Sequence, residues 1–443
     1  PPRSTPSNSS AASDVYKRQT RYEYDGYGNL IRTIDALGNV SEFAYDELGN
    51  QISSIDPRGN ITKYEYDILN RLIKIINPDG SYIQYGYDKN GNRVSIRDAN
   101  GNTTRFVYDS ENRLIKMIDP SGLQTIYNYD TEGNLIAITD PKGNTTRNTY
   151  DALNRLVKTT DALGIDTIYV YDAVGNMIEK HRADGDVIKY EYDSLNRLVR
   201  ISYPDSTSVT YKYDALGRRV SMTDWLGETV YSYDALGRLL YVDGPDGNDT
   251  VSYEYDAAGN RIRMVDPSGG ITEYKYDTLN RLTEVISGSE SFVFQRDKAG
   301  NVVQIGYPNG VNTLLSYDTM NRTTSIYGED TQNIGLYSFD YTYDNGGRVV
   351  RNKWNLGSSI IKGTTNYGYR PNNWLISETR RSLIATVALG SYGYDKAGNR
   401  THTRVNNNGT QFTYNALNQL TGYSIIKRPH RFSYTCTYDI NGN

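Results

Sequence analysis

Residues 129–151 read YDTEGNLIAITDPKGNTTRNTYD. Tyr129-Asp130 opens the stretch, Asp140-Pro141-Lys142-Gly143 divides it, and Tyr150-Asp151 starts it again. The same pair stands at Tyr24, Tyr45, Tyr66, Tyr87, Tyr108, Tyr129, Tyr150, Tyr171, Tyr192 and Tyr213, ten copies at intervals of 21, and continues less evenly at Tyr233, Tyr255, Tyr276, Tyr317, Tyr343, Tyr394 and Tyr438. A fixed period of this kind marks a repeat architecture.

Each Tyr-Asp begins a turn, Asp-x-x-Gly/Asn. In the ten regular copies its fourth residue is only Gly or Asn, as at Gly133 and Asn154. These two tolerate the left-handed backbone best, and Asp favours the first position of a type I turn. A type I turn closed by a left-handed residue is a common hairpin loop. A second turn follows about halfway through the period, at Asp56-Pro57-Arg58-Gly59, Asp119-Pro120-Ser121-Gly122 and Asp140-Pro141-Lys142-Gly143. Proline there has the fixed φ that a type I turn needs. Two turns in each period leave two strands, so one repeat is one antiparallel hairpin.

The strands alternate. Two positions before the Tyr stand Tyr22, Phe43, Tyr64, Tyr85, Phe106, Tyr127, Asn148, Tyr169, Tyr190 and Tyr211, on the same face as the Tyr. After the turn, Ile31, Ile52, Ile73, Val94, Ile115, Ile136, Val157, Ile178, Val199 and Val220 are all β-branched, which suits a strand. The tyrosines are expected to stack as cross-strand aromatic ladders. From Gly49 onward the fourth turn residue alternates between Gly and Asn, and the Asn copies read Asn-Arg-Leu, as at Asn70-Arg71-Leu72. The physical unit is then a pair of hairpins, two periods long.

The reading is all-β: a long antiparallel meander of about 40 strands curled into a spiralling hollow β-shell. A flat sheet of that many strands at ~4.8 Å would be roughly 190 Å wide, far past the width at which twist curls a sheet. Closed in one turn, it would be roughly 60 Å across. A leucine-rich repeat lacks its L-x-x-L-x-L pattern, and a propeller of ten blades exceeds the usual number. Three segments are expected: 1–19, a disordered or artefactual leader; 20–296, the regular shell; and 297–443, an irregular continuation truncated at its C-terminus. In the last, the spacings between Tyr317, Tyr343, Tyr369 and Tyr394 lengthen to 26, 26 and 25, with apolar-bearing insertions at Asn352–Lys362 and Arg380–Leu389 beside Trp354 and Trp374. The chain starts at Pro1 and stops inside the turn that follows Tyr438, so the array and any export signal are expected to extend beyond both ends.

Composition excludes several functions. Charge is almost balanced, 48 Lys and Arg against 52 Asp and Glu, without the basic excess of a nucleic-acid protein. No apolar run has the ~20 residues of a membrane helix. A single cysteine, Cys436, excludes an internal disulfide and a cysteine cluster. His181, His402 and His430 lack partners at ligand or triad spacing. The aspartates stand at turn starts, where they bond backbone N–H groups. No catalytic, cofactor-binding or metal residue is assigned, and no cofactor is expected; the reading is not an enzyme.

The recurrent Tyr-Asp-x-x-Gly-Asn-Arg/Leu grammar resembles that of the Rhs/YD-repeat family over about Arg21 to Asn443. Its members include bacterial Rhs and wall-associated polymorphic toxins, the shell subunits of insecticidal toxin complexes and teneurin-like YD shells. The resemblance implies a secreted or cell-surface shell scaffold that encapsulates or delivers a C-terminal toxin absent from this chain. Its partners would be that cargo, and a delivery apparatus or surface glycans. The alternative is a cell-surface adhesion or carbohydrate-binding module. Toxin-bearing relatives end their core in Asp-Pro-x-Gly-Leu. Asp119-Pro120-Ser121-Gly122-Leu123 has those letters, but it falls at an ordinary second-turn position with a regular repeat after it, and is read as a turn.

Overall fold

The computed structural model describes residues 19–357, 361–382, 386–406, 408–427 and 430–438. The expected leader before residue 19, parts of the two late insertions and the last turn beyond Tyr438 lie outside them. Among the described residues there are 39 strands, from Arg21–Tyr24 to His430–Thr435, and no helix. Every strand pairs antiparallel with the one before and the one after it in sequence. The result is one continuous ribbon, with all Tyr-Asp turns on one rim and all second turns on the other.

Local chemistry sets the register. In the Tyr-Asp hairpins the fourth turn residue is left-handed, with φ of 90° at Gly133 and 58° at Asn154. The Gly133 N–H donates to the Asp130 carbonyl (3.2 Å), and the Asp130 N–H donates to the Asn134 carbonyl (3.0 Å). One residue is left over in the second strand, Ile136 in one repeat and Val157 in the next, so the register slips opposite Asn128 and Tyr129, opposite Thr149 and Tyr150, and likewise along the chain. Such bulges bend and twist a strand pair. The second hairpins of the regular region show no slip: Ala137, Ile138 and Thr139 face Arg147, Thr146 and Thr145. Only later do they slip, between Gly328 and Glu329 and between Arg380 and Arg381. A bulge at every Tyr-Asp hairpin of the regular region and none at its second hairpins favours curling.

The ribbon has a single layer. Ala137, Val209 and Trp354 are the only buried apolar residues among those described, and no side chain is wholly enclosed. The accessible surface is 26513 Å², against roughly 17,000 Å² for a compact globule of this mass. On one face many aromatics lie opposite an aliphatic or methionine, as Tyr64 opposite Ile75, Phe106 opposite Met117 and Tyr127 opposite Ile138, while Phe43 faces Ser54 and Tyr169 faces Lys180. The other face carries cross-strand ion pairs: Lys74–Glu65 (3.3 Å), Arg263–Glu254 (2.5 Å) and Lys275–Glu284 (2.8 Å).

The ribbon coils on itself. The Arg58 turn touches Tyr317 and Asn321, Asp79 touches Arg322, Asn100 touches Gly346, Asp119 touches Asn372, and Lys142 touches Asn418. The second-turn rim of the first winding thus meets the Tyr-Asp rim of the next. Each contact spans 23 to 25 strands. At ~4.8 Å per strand the perimeter is roughly 115 Å and the diameter roughly 37 Å. The sheet thus spirals as expected, more narrowly than a single closed turn would: it makes more than one and a half windings, stacked rim to rim.

Candidate functional site: the turn lock, the seam and the wall

The aspartate of each Tyr-Asp organises its own turn. Asp130 Oδ1 accepts from the Asn134 backbone N–H (2.8 Å), and Oδ2 from the Asn134 side chain (3.0 Å). In the Asn-Arg copies an arginine takes over: Asp151 Oδ1 accepts from the N–H groups of Leu153 and Arg155, and Oδ2 from Arg155 Nε (2.7 Å). The Asn50 side chain donating to Asp46 holds that carboxyl below its ordinary value, and the Arg71 guanidinium does so for Asp67.

The alternation of Gly-Asn and Asn-Arg has a mechanical meaning. The Asn134 amide reaches forward to Asn154 Oδ1 (2.9 Å). Arg155 then reaches forward to the Asp172 carbonyl (3.0 Å) and lies over the Tyr171 ring at 5.0 Å. Asn176 repeats the first step to Asn196 (3.0 Å), and Arg197 the second to Asp214 (3.2 Å). One rim is thus laced repeat to repeat by an amide and a guanidinium in turn. The grammar was visible in sequence; these partners were not, because they belong to the neighbouring hairpin.

The tyrosines do not form the expected ring ladders. The Tyr150 hydroxyl donates to the Leu135 carbonyl (3.0 Å), Tyr171 to Leu156 (2.9 Å) and Tyr213 to Leu198 (2.7 Å). Each ties its repeat to the one before. Their faces take arginines, at 4.8 to 5.1 Å for Arg71 on Tyr87, Arg113 on Tyr129 and Arg197 on Tyr213. Burial pushes the phenol pKa of Tyr66, Tyr129 and Tyr192 up. Ring pairs occur instead in the late region, as Trp374–Tyr394 (5.3 Å) and Tyr423–Tyr434 (4.7 Å).

The seam between windings is polar. Arg58 donates to Asn321 Oδ1 (2.7 Å) and the Tyr317 carbonyl (3.2 Å), with Asp297 at 3.7 Å. Lys142 has the same surroundings one winding-segment on: Asp395 (3.2 Å), Asn418 Oδ1 (3.2 Å) and the Asn415 carbonyl (3.5 Å). Asp79 meets Arg322 at 3.2 Å. Asn372 donates to Asp119 Oδ2 (3.1 Å). The Asp119–Leu123 segment is a turn, with the Asp119 N–H on the Leu123 carbonyl at 2.9 Å.

Among the described residues no three His, Cys, Asp or Glu are gathered as a metal set. His181 pairs with Glu179 at 2.8 Å. His402 lies against Gly393, where a Cβ would overlap its ring. Cys436 donates its N–H to the Thr421 carbonyl and lines a seam cleft with Asp161, Arg182 and Leu417. These arrangements hold strands and rims in place.

Comparison with known proteins agrees with this geometry. A family model described as Teneurin YD-shell matches residues 102–230, and one described as RHS Repeat matches 45–82, 233–271 and 255–290. These matches place teneurin-type YD-shell and RHS repeats within residues 45–290. The chain is similar in fold to a crystal structure of TcdB2-TccC3-TEV, with 17% identity and a TM-score of 0.72 over 96% of this chain and 26% of that one. It also resembles a Tc holotoxin pore from Photorhabdus luminescens (15% identity, TM-score 0.57, 95% of this chain and 27% of that one). A third is TcdB2-TccC3 without its hypervariable C-terminal region (15%, 0.53, 94% and 28%). The YD ribbon spans about a quarter of the length of these structures. No curated protein matches it in sequence. No helix among the described residues is long and apolar enough to cross a membrane.

Proposed function

We propose that this chain is a wall segment of a secreted or cell-surface shell that encloses a polypeptide cargo for delivery and does no chemistry itself. The observation that carries the reading is the single-layer ribbon coiled rim on rim, with no second layer among the described residues filling its inside. A wall one sheet thick takes ~10 Å of the ~37 Å diameter, leaving a lumen of roughly 25 Å. A helix about 10–12 Å wide, or an extended chain, passes such a lumen. A folded domain of about 100 residues, with a radius of gyration of about 13 Å, fills or exceeds it. The enclosed polypeptide would then lack full tertiary structure. The fold it shares with TcdB2-TccC3 supports the shell role.

Glycan binding by the tyrosine rows is disfavoured on chemical grounds. The Tyr-Asp hydroxyls, as at Tyr150 and Tyr171, are engaged by backbone carbonyls, and every second ring in the regular region, as at Tyr129 and Tyr171, by a guanidinium group.

The test is a fusion. An unstructured segment carrying one site-specific protease sequence is joined after Asn443, and its cleavage is compared with that of the same segment joined before Arg21. A rate several-fold slower for the first fusion is expected from enclosure. Equal rates would remove the cargo-shell reading.

A further inference from the structure

Arg58 and Lys142 occupy two copies of one receptor. Two successive turns of the Tyr-Asp rim build it, Arg296-Asp297 with Tyr317-Asp318 in one copy and Tyr394-Asp395 with Tyr414-Asn415 in the other: the aspartate of a Gly-Asn turn, the left-handed Asn of the following turn, and a main-chain carbonyl at the start of that second turn. For Arg58 these are Asp297, Asn321 and Tyr317. For Lys142 they are Asp395, Asn418 and Asn415. In both, the Asn of the first turn donates to the Asn Oδ1 that meets the cation, at 2.9 Å from Asn301 and 2.7 Å from Asn399. That bond fixes the oxygen in position.

The same construction recurs on the Tyr-Asp rim of the first winding. Asp46 with Asn70, Asp130 with Asn154, and Asp172 with Asn196 have the same turn types in the same order, and the same bridging amides from Asn50, Asn134 and Asn176. Asp88 with Asn112 differs, because the Asn90 side chain already reaches Asn112 Oδ1. Apolar neighbours follow suit. Leu69, Leu153 and Leu195, at the third turn position, are 62%, 70% and 69% exposed. Their counterparts at the seam, Met320 and Leu417, are half-buried. The first winding therefore shows, uncovered, the surface that the second winding uses to dock.

We propose that this rim is a docking surface for a partner polypeptide whose hairpin turns present Lys or Arg. Each cation would seat between an aspartate and an asparagine oxygen as Arg58 and Lys142 do. Sites at Asn154 and Asn196 lie four strands apart, roughly 19 Å, which sets the spacing of the partner's cations. The argument for this occupant is continuity with the seam: the same receptor, in this chain, already takes a hairpin cation.

The probe is a cyclic peptide of residues 139–145, TDPKGNT, carrying the Lys142 turn, with a Lys→Ala version as control. Saturation-transfer NMR on the full chain is expected to show transfer strongest at the lysine side chain, and to lose most of it with the alanine peptide. The variant N70G/N154G/N196G deletes the three oxygens while glycine keeps the left-handed turns, and leaves the seam residues Asn321 and Asn418 intact. It is expected to abolish the lysine-specific transfer with an unchanged circular dichroism spectrum. Equal transfer to both peptides, or to parent and variant, would overturn the proposal. So would a parent mass that rises with concentration in light scattering while the variant's does not, because the rim would then belong to a second copy.

Discussion

The two windings share a turn lock and differ in everything below it. In the first, the Tyr-Asp interval is constant from Tyr24 to Tyr213 and, after Arg21–Tyr24, its strands there have five or six residues, as Leu135–Thr139 and Thr145–Tyr150. In the second, strands reach nine residues at Gly335–Tyr343 and eight at Lys362–Tyr369 and Leu375–Ser382. Yet the tyrosine bond is the same. The Tyr369 hydroxyl reaches back 20 residues to Val349 where Tyr150 reaches back 15 to Leu135, and both acceptors open the strand after the preceding Tyr-Asp turn. The extra residues all enter on the second-turn side. The locked rim, which forms the seam, tolerates no change of length; the other rim of the second winding does. The longer strands also build a small core, where Trp354 packs on Gly363 under Arg380 at 4.5 Å.

The largest effect expected is acid unfolding of both windings together. Several turn aspartates in both windings have lowered pKa values: Asp25 and Asp67 first through side-chain bonds from Asn29 and Arg71, and Asp344 and Asp395 in the second. A lowered carboxylate stabilises the fold above its unfolded value, near pH 4, and that stability is lost as pH falls further. The tyrosines add the opposite limb. Their raised values stabilise the fold below about pH 10 and cease to as pH rises beyond it. A plateau between these limits, followed by circular dichroism, is expected. Separate acid transitions for residues 45–230 and 312–427 by hydrogen exchange would show that the lock is not common to both.

Trp354→Ala separates the windings. Loss of a buried indole costs about 3 kcal/mol. In a repeat array it should be felt by neighbouring strands only. Faster exchange across 349–382 with 45–230 unchanged is expected; a uniform change would mean that the windings fold as one unit. Asn154→Val tests the lock itself, since a β-branched residue at φ 58° costs about 1–3 kcal/mol, whereas Asn154→Gly keeps the turn. Equal melting of the two variants contradicts that strain. Tyr150→Phe and Tyr369→Phe each delete one hydroxyl bond, worth about 1 kcal/mol. Their effects should match despite the difference in repeat length.

Much of this was legible in the residues. The period, the two turns per repeat and the left-handed fourth position are local, and Asn154 and Gly133 announce them within a single turn. The roles of Asn134 and Arg155 were half legible, as an alternation without partners. The seam was not. Arg58 and Lys142 look like any third residue of an Asp-Pro-x-Gly turn, and what they meet depends on how many strands close one winding. That number comes from twist and bulge accumulated over the whole winding, which no short window of sequence carries. The tyrosine ladders failed for a related reason: each hydroxyl finds a carbonyl of the previous repeat, and after an Asn-Arg turn the ring finds a guanidinium, as at Tyr129 and Tyr171.

The coiling itself is tested by one distance. Ala99 and Asn345 lie in the two turns joined where the Gly346 N–H meets Asn100 Oδ1 at 3.0 Å. Spin labels on Ala99→Cys and Asn345→Cys, with Cys436→Ser to remove the native thiol, report it by pulsed electron resonance. Stacked windings put the labels within about 20 Å of each other, whereas an uncoiled ribbon would hold them 23 strand spacings apart, roughly 110 Å. A narrow distribution near the short value is expected, and one lying wholly beyond about 60 Å, half the uncoiled span, would contradict the coiled shell.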